Sequence, residues 1–530
     1  MRTKVVLLLS TGILVTALVW LVVQPSAEPL VAALAALVGI LSQVKEHERP
    51  AEAARAAVAV PEAQERSLLV MPLANLSPDS ENEYFSDGLT EELIAALAHV
   101  PSLRVISRHS TMRLKGTEKS LGELARELSV DFVVEGGVRK VGTEIRITVH
   151  LVDAGRDTEL WSQKYDGTLD DVFKFQEAVA DAIVGALHLR FGPKHVGRPK
   201  APSDPRAFDA YLRGRHEMGN WTREASENAH RFFSAGLDVL GENALLHAGL
   251  GHASFRLAHI VPGAMADYMK EAAASALRAL DLDPDLVTAH VLSGLVDWKK
   301  GSIGSALRHF LDALESDPDD ADALTWAVFC FAEVGHLGFI DDHISRLTLV
   351  DPLNSFTRFT EGFARLMGGD PAEASKAFAK SLSLDPTSTN TIALAAFTDA
   401  RLGDTEAARV RLRNMLRLAR DDVWTHLGVA LLAALDGTRL TLPEHVVSDS
   451  RKDETFAWFI AECYAILKNG PEVIEWLDTA LPWGFTNVAY LTSPTTAVGT
   501  VWNDPAFRTW TVRAESRRRQ VLSMAGLSPV

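Results

Sequence analysis

A 34-residue repeat in the second half of the chain restricts the fold more than any other feature of the sequence. Asp-Pro pairs and glycines each recur four times at this spacing. A column of bulky apolar residues keeps the same period, and so does a column of small residues with one exception. The columns are Asp283-Pro284, Asp317-Pro318, Asp351-Pro352 and Asp385-Pro386; Gly301, Gly335, Gly369 and Gly403; Phe310, Ile344, Phe378 and Leu412; and Ala306, Ile340, Ala374 and Ala408.

Each column has a physical role in a pair of antiparallel helices. Small residues let the two helices approach closely, and the bulky residues fill their contact. The glycine ends the first helix in a left-handed cap, and the proline stops the second helix. A period of 34 built from two helices is typical of tetratricopeptide repeats. We therefore predict a tetratricopeptide-type solenoid over residues 206–530, with regular repeats at about 284–420 and a C-terminal cap at about 482–530.

The inner surface of such a solenoid is the predicted binding site. Stacked helix pairs form a superhelix whose first helices line a groove. Because this ladder is mostly apolar, it lacks the Lys and Asn with which related domains hold a C-terminal carboxylate. We expect a protein or peptide partner to bind through side-chain pockets; the alternative is that the phenylalanines partly pack between helices. The ladder consists of Val291, Leu295, Thr325, Phe329, Phe359, Phe363 and Phe397, with Ala393 beside the last.

Residues 66–191 predict a second fold, an α/β module with a mixed sheet and helices. Residues 144–151 alternate strictly between apolar and polar, so that strand has one wet face. Ser120 and Glu123 form a capping box that begins a helix. The predicted strands are 67–73, 103–107, 131–140, 144–153 and 159–165, and the predicted helices are 87–100, 120–128 and 171–189.

Three stretches of this module resemble a known family in order and spacing. They read VMPLANLSPDSENEYFSDGLTEELIAAL (70–97), LRVISRHS (103–110) and VDFVVEGGVRKVGTEIRITVHLVDAGRDTELWSQKYDG (130–167). They are similar to the TolB amino-terminal-domain-like module of bacterial signalling chains. In that family the module commonly follows an adenylate cyclase or a winged-helix domain with a membrane span, and precedes tetratricopeptide repeats. The sequence has no room for either output domain before residue 5, so we expect no cyclase activity here.

The N-terminus predicts a membrane anchor over residues 1–44. Residues 5–23 are an uncharged apolar run behind Arg2 and Lys4, close to the roughly 20 residues that span a bilayer. A second apolar run, 29–44, has positive charges after it and none in the break before it, so the positive-inside rule favours a helical hairpin with the globular part in the cytoplasm. With one span, that part lies in the periplasm. We thus expect a location at the bacterial inner membrane, with a tether at 45–65 and a linker at 192–205.

The net charge and the lack of catalytic motifs in the sequence favour a binding protein over an enzyme. The net charge of −16 argues against nucleic acid as a partner, because phosphate neutralisation needs clustered Lys and Arg. No Walker loop, dinucleotide fingerprint, zinc-protease motif or nucleophile elbow is present. We expect no catalytic, cofactor or metal residues. The predicted function is a membrane-tethered protein-interaction scaffold or regulatory protein. The alternative is a sensory or signalling receptor subunit that works with a separately encoded adenylate cyclase, kinase or transcription regulator.

Overall fold

The computed structural model describes residues 66–100, 103–168, 171–189, 201–261, 264–418 and 420–528. These residues are mostly helical with one small sheet. Within these ranges, none of the helices combines the length and the apolar character needed to cross a membrane. The longest described helix, Pro505–Met524, has 20 residues and carries several arginines.

The transmembrane part of the predicted fold class is therefore wrong for the structure described. Helices such as Arg223–Leu240 bury one face against their neighbours and keep polar side chains on the other, whereas Ala321–Val334 is buried on nearly all sides but has only 14 residues. The apolar runs 5–23 and 29–44, and the tether 45–65, lie outside the described residues. The predicted membrane attachment and inner-membrane localisation lose their support on the same finding.

The α/β module is built on a mixed sheet with strand order β3-β1-β4-β5-β6, and β2 also pairs with β4. The pairs β1–β3, β1–β4 and β2–β4 are parallel, whereas β4–β5 and β5–β6 are antiparallel. Gly142, with φ +63°, lies in the tight turn that joins β4 to β5. The strands are β1 Arg66–Val70, β2 Ala74–Asn75, β3 Leu103–Val105, β4 Phe132–Val141, β5 Glu144–Asp153 and β6 Thr158–Thr168; the helices are α1 Glu83–Ala98, α2 Arg108–Met112, α3 Leu121–Leu128 and α4 Val172–Ala186.

The rest of the described chain is an array of helices, most of them in antiparallel pairs. Five successive first helices begin 34 residues apart, at Val287, Ala321, Ser355, Thr389 and Val423. The helices are α5 Pro205–Glu217, α6 Arg223–Leu240, α7 Ala244–Ile260, α8 Met265–Leu282, α9 Val287–Trp298, α10 Ile303–Ser316, α11 Ala321–Val334, α12 Ile340–Val350, α13 Ser355–Met367, α14 Pro371–Leu384, α15 Thr389–Arg401, α16 Thr405–Leu416, α17 Val423–Leu435, α18 Glu444–Ser450, α19 Glu454–Ile466, α20 Gly470–Trp483, α21 Val488–Leu491 and α22 Pro505–Met524.

The repeat columns have the geometry that their residue types predict. The aspartate of each Asp-Pro pair is the C-cap residue of a second helix. The four column glycines all have positive φ, between +74° and +90°, at the turn between the helices of a pair. The bulky column is buried throughout. The 34-residue spacing therefore produces a tetratricopeptide-type solenoid, while the domain boundaries given above stay predictions.

Two glycines in first helices mark where the paired helices approach most closely. A Cβ added to Gly294 would lie 2.3 Å from Phe310 Cε1, and one added to Gly362 would lie 2.6 Å from Phe378 Cδ1. We expect Gly294→Ala and Gly362→Ala each to lower the free energy of unfolding by about 1–3 kcal/mol, measured by urea denaturation, because the phenylalanine has to leave its position. Gly185→Ala on α4 is the control, since its Cβ would meet nothing within 4 Å. Equal denaturation midpoints for all three variants would contradict the close packing.

The α/β module lies against the helical array through buried polar contacts. Ser107 and Ser110 donate to Asp351 Oδ1 at 2.5 and 2.6 Å, and the carboxylate is almost completely buried at the end of α12. On α1, the buried Glu91 pairs with Arg108 and with Arg215 of α5. Because each carboxylate has hydrogen-bonding partners, the buried charges are compensated. These contacts hold the module against α5 and against the turn that follows α12.

Candidate protein-binding groove

The seven ladder residues lie together on the first helices α9, α11, α13 and α15, and all of them are buried. Their relative exposure is between 1% and 6%. Phe329 is central, with its ring centroid 4.8 Å from that of Phe363 and 5.9 Å from that of Phe359. The aromatic side chains therefore pack between neighbouring helices. Their role in partner binding stays a prediction, because no partner can reach them in this conformation.

Helix α19 covers the C-terminal part of the ladder, at Phe363 and Phe397. Trp458 is completely buried, and its ring centroid lies 5.6 Å from that of Phe397 and 6.4 Å from that of Phe363. Phe459, also completely buried, lies 5.5 Å from Phe397. The chain's own helix thus occupies the inner face that the sequence predicts for a partner.

A second segment, residues 482–495, crosses the C-terminal ends of four first helices in repeat order; we call it the strap. Trp483 lies beside Gly301 after α9, and Thr486 bonds to the end of α11. Asn487 bonds to the ends of both α11 and α13. Thr495 accepts a bond from Arg401 at the end of α15, through its carbonyl oxygen at 3.0 Å. The strap therefore follows the axis of the solenoid.

The strap binds mainly through donors to backbone carbonyls. The Thr486 N–H donates to Glu333 O at 3.0 Å, and its hydroxyl donates to Val334 O at 3.2 Å. The Asn487 amide donates to Ala332 O at 2.8 Å and to Met367 O at 3.1 Å. The last carbonyls of a helix lack intrahelical partners and carry the negative end of its dipole. Donors are therefore the groups that these helix ends favour.

Tyr490 anchors the far end of the strap. Its hydroxyl donates to Glu462 Oε1 of α19 at 2.9 Å and accepts from Arg401. The Arg401 guanidinium also lies 4.7 Å from the centroid of the tyrosine ring. Burial raises the pKa of Tyr490, so the hydroxyl stays protonated and remains a donor. Strap, α19 and α15 are thus joined in one polar network.

A buried acidic cluster joins α19 to the ends of α9 and α11. Lys299 Nζ lies 2.9 Å from Asp453 Oδ2, and the Trp298 indole donates to Glu454 Oε1 at 2.6 Å. Thr455 donates to the carboxylate of Glu333. Burial first, and the neighbouring Asp453 second, raise the pKa of Glu333 to about 7. Burial likewise raises the pKa of Glu454. One lysine therefore faces three carboxyl groups that cannot all ionise without cost.

The sequence pattern predicts the ladder but not the residues that cover it. Trp458 lies in an ordinary helical pattern, and Thr486 and Asn487 lie in the stretch for which a terminal cap is predicted. That stretch carried a usable signal. After Pro482-Trp483-Gly484 it becomes rich in Thr and Ser and loses the helical period, which is unusual within an array of helix pairs.

Comparisons with known proteins give partial similarities. The family model described as "HilA/YgeH-like transcriptional regulator, second domain" matches residues 64–182, which include the sheet. The TolB-like resemblance is therefore not confirmed. "Putative adenylate cyclase 3" from Rhizobium meliloti (strain 1021) is 32% identical over 238 residues, which make up 44% of this chain and 40% of that relative. The chain thus matches well under half of the relative's length.

Two solved tetratricopeptide structures are similar to the chain. One, from Parabacteroides merdae ATCC 43184, is 13% identical, with 51% of this chain and 99% of that chain covered and a TM-score of 0.33. The other, YrrB, described as having an unusual peptide-binding site, is 20% identical, with 36% and 95% covered and a TM-score of 0.28. Likenesses at these scores carry no functional argument. The assignment of a tetratricopeptide-type solenoid rests on the helix spacing of this chain.

Proposed function

We propose that the chain is a protein-interaction scaffold whose inner face binds a peptide segment, and that α19 and the strap hold this site closed. The observation that carries the proposal is the pair of bonds from the Asn487 amide to carbonyls of two successive repeats. A ligand held in this way contributes donors and apolar side chains and needs no charge. This agrees with an apolar ladder that lacks Lys and Asn.

The side chains of the strap indicate which side chains a partner would carry. Phe485 is completely buried beside Trp458, with ring centroids 6.1 Å apart, and Tyr490 follows five residues later. A partner would carry an aromatic residue, then a hydroxyl and an amide side chain, then a second aromatic residue with a hydroxyl group. Because the strap belongs to the same chain, its effective concentration is on the order of millimolar. A partner therefore binds only if its affinity is high enough to displace the strap, or if the contacts of the strap are weakened.

The test uses a fluorescent peptide with the sequence of residues 480–496. We expect Asn487→Ala to raise the affinity of the full chain for this peptide at least about tenfold, because the variant strap loses two bonds worth about 1 kcal/mol each and leaves two carbonyls unpaired. Fluorescence anisotropy gives the dissociation constants. Asn503→Ala, at an exposed asparagine just after the strap, is the matched control. Equal affinities for the two variants, or no binding to either, would contradict the proposal.

A second candidate function is a signalling subunit that works with a separately encoded adenylate cyclase, kinase or transcription regulator. The similarity of residues 64–182 to a domain of transcriptional regulators favours it, as does the name of the Rhizobium relative. Affinity capture with the Asn487→Ala variant separates the two candidates. Recovery of structural or envelope proteins alone would contradict the signalling role, and recovery of a cyclase, a kinase or a regulator would support it.

A further inference from the structure

Two histidines face each other across the first regular helix pair, away from the strap. His290 lies on α9 and His309 on α10, and their Nδ1 atoms are 3.3 Å apart. The ring centroids are 5.6 Å apart, and the ring planes meet at 44°. Asp312, one turn after His309 on the same face of α10, offers a carboxylate oxygen within 4.8 Å of one ring nitrogen of each histidine. All three side chains are half-buried.

The surroundings orient the lone pair of His290 towards His309. His290 Nε2 lies 2.8 Å from the carbonyl oxygen of Pro284, which can only accept, so Nε2 donates and Nδ1 of the neutral ring keeps its lone pair. Without an ion, the N–H of His309 Nδ1 can donate to this lone pair across 3.3 Å. The carboxylate of Asp297, 4.0 Å from His309 Nε2, favours the proton on that outer nitrogen once Nδ1 is used as a ligand.

The distances match a metal ion with tetrahedral ligands. Nitrogen ligands at about 2.0–2.1 Å from Zn²⁺ are about 3.3 Å apart at a tetrahedral angle. Ligating histidines commonly donate their other N–H to a carbonyl or a carboxylate, as His290 does here to Pro284. Arg308 Nε donates to Asp312 Oδ1 at 3.0 Å, and a carboxylate can hold a guanidinium and an ion through separate oxygens. Two imidazoles with one carboxylate suit Zn²⁺ and its transition-metal neighbours better than Mg²⁺ or Ca²⁺.

We propose that His290, His309 and Asp312 bind a divalent transition-metal ion of the Zn²⁺ type, which ties the first helix of this repeat to the second. Water supplies the fourth ligand at the half-exposed side. Among the residues that the structure describes, this is the one group of three His, Cys, Asp or Glu side chains with ligand atoms so close together. The site is not predictable from the sequence, because the two histidines are 19 residues apart and belong to no short metal-ligand motif.

The test is calorimetric titration of the untagged full chain with Zn²⁺ after treatment with EDTA. We expect one saturable site, and we expect His290→Ala and His309→Ala each to weaken it at least about tenfold. Asp312→Asn keeps the side-chain size and serves where an alanine variant fails to fold. Co²⁺ in place of Zn²⁺ should give the visible absorption of a tetrahedral site, and this absorption should disappear in the variants.

The control is the double variant His426→Ala/His445→Ala. These two rings have centroids 5.8 Å apart, almost the same separation, but they meet at 85° and belong to no three-ligand group among the described residues. We expect this variant to bind Zn²⁺ as the wild type does. No saturable binding to the wild type would overturn the proposal. Weak binding that all variants share would also overturn it, because it would assign the ion to surface carboxylates.

Discussion

Trp458→Ala is expected to lower the free energy of unfolding by about 3–5 kcal/mol. The indole is completely buried where the ladder, α19 and the strap meet, with ring centroids 5.6 Å from Phe397 and 5.6 Å from Tyr490. No neighbour can move in without leaving its own contacts, so the substitution leaves a cavity. Urea denaturation measures the loss. Hydrogen exchange should show that protection falls most in residues 454–501.

Trp221→Ala is the matched control. This tryptophan is 62% exposed, and the Arg256 guanidinium lies 4.4 Å from its ring centroid. We expect a loss of at most about 1 kcal/mol, the size of an exposed cation–π contact. If the two variants lose equal stability, Trp458 does not hold the inner face closed. The same conclusion follows if exchange in residues 454–501 is unchanged in Trp458→Ala.

The solenoid was predictable because its signals are local. Gly301 ends a first helix because its left-handed turn is a property of one residue, and Asp317-Pro318 stops a second helix in the same way. The period of 34 then repeats these signals in register. The capping box at Ser120 and Glu123 is equally local, and the structure contains both of its bonds. Features of this kind depend on neighbours within a few residues.

The closed groove was not predictable because its contacts connect distant parts of the chain. Asn487 bonds to Ala332 across 155 positions and to Met367 across 120. The sequence of a first helix looks the same whether its inner face meets solvent, a partner or another part of the chain. An apolar ladder therefore predicts burial but not the identity of what covers it. The pairing of His290 with His309 was not predictable for the same reason, since the two side chains meet only when their helices pack.

Glu333 makes the closure of the inner face sensitive to pH. Its carboxyl is 1% exposed, and burial followed by Asp453 raises its pKa from an ordinary value of 4.5 to about 7. The groups that face it are Thr455, Asp453, Glu454 and Lys299. The folded chain thus holds this proton more tightly than the unfolded chain does. Its contribution to stability is complete below about pH 4.5, falls as the pH rises towards about 7, and is absent above that.

Glu333→Gln is expected to remove this dependence. The amide has nearly the same shape, can still accept the Thr455 hydroxyl, and never ionises. A pKa raised from 4.5 to about 7 corresponds to about 3 kcal/mol. We therefore expect the variant to equal the wild type near pH 4.5 and to exceed its free energy of unfolding by about 3 kcal/mol at pH 8. Urea denaturation at both pH values measures the difference between the two proteins.

The functional consequence follows from the position of Glu333, whose side chain holds α19 and whose backbone carbonyl holds the strap. When the buried carboxyl ionises, its repulsion with Asp453 and Glu454 at the start of α19 destabilises the contact between α19 and the inner face, so binding of the strap peptide should strengthen as the pH rises from 5 to 8. Glu333→Gln should keep the peptide affinity constant over that range. Glu315→Gln, at an exposed position on α10, is the control and should follow the wild type.

A Glu333→Gln variant whose stability advantage is the same at pH 5 and pH 8 would show that Glu333 is not the titrating group. A pH-dependent advantage with constant peptide binding would separate the titration of Glu333 from the closure of the groove.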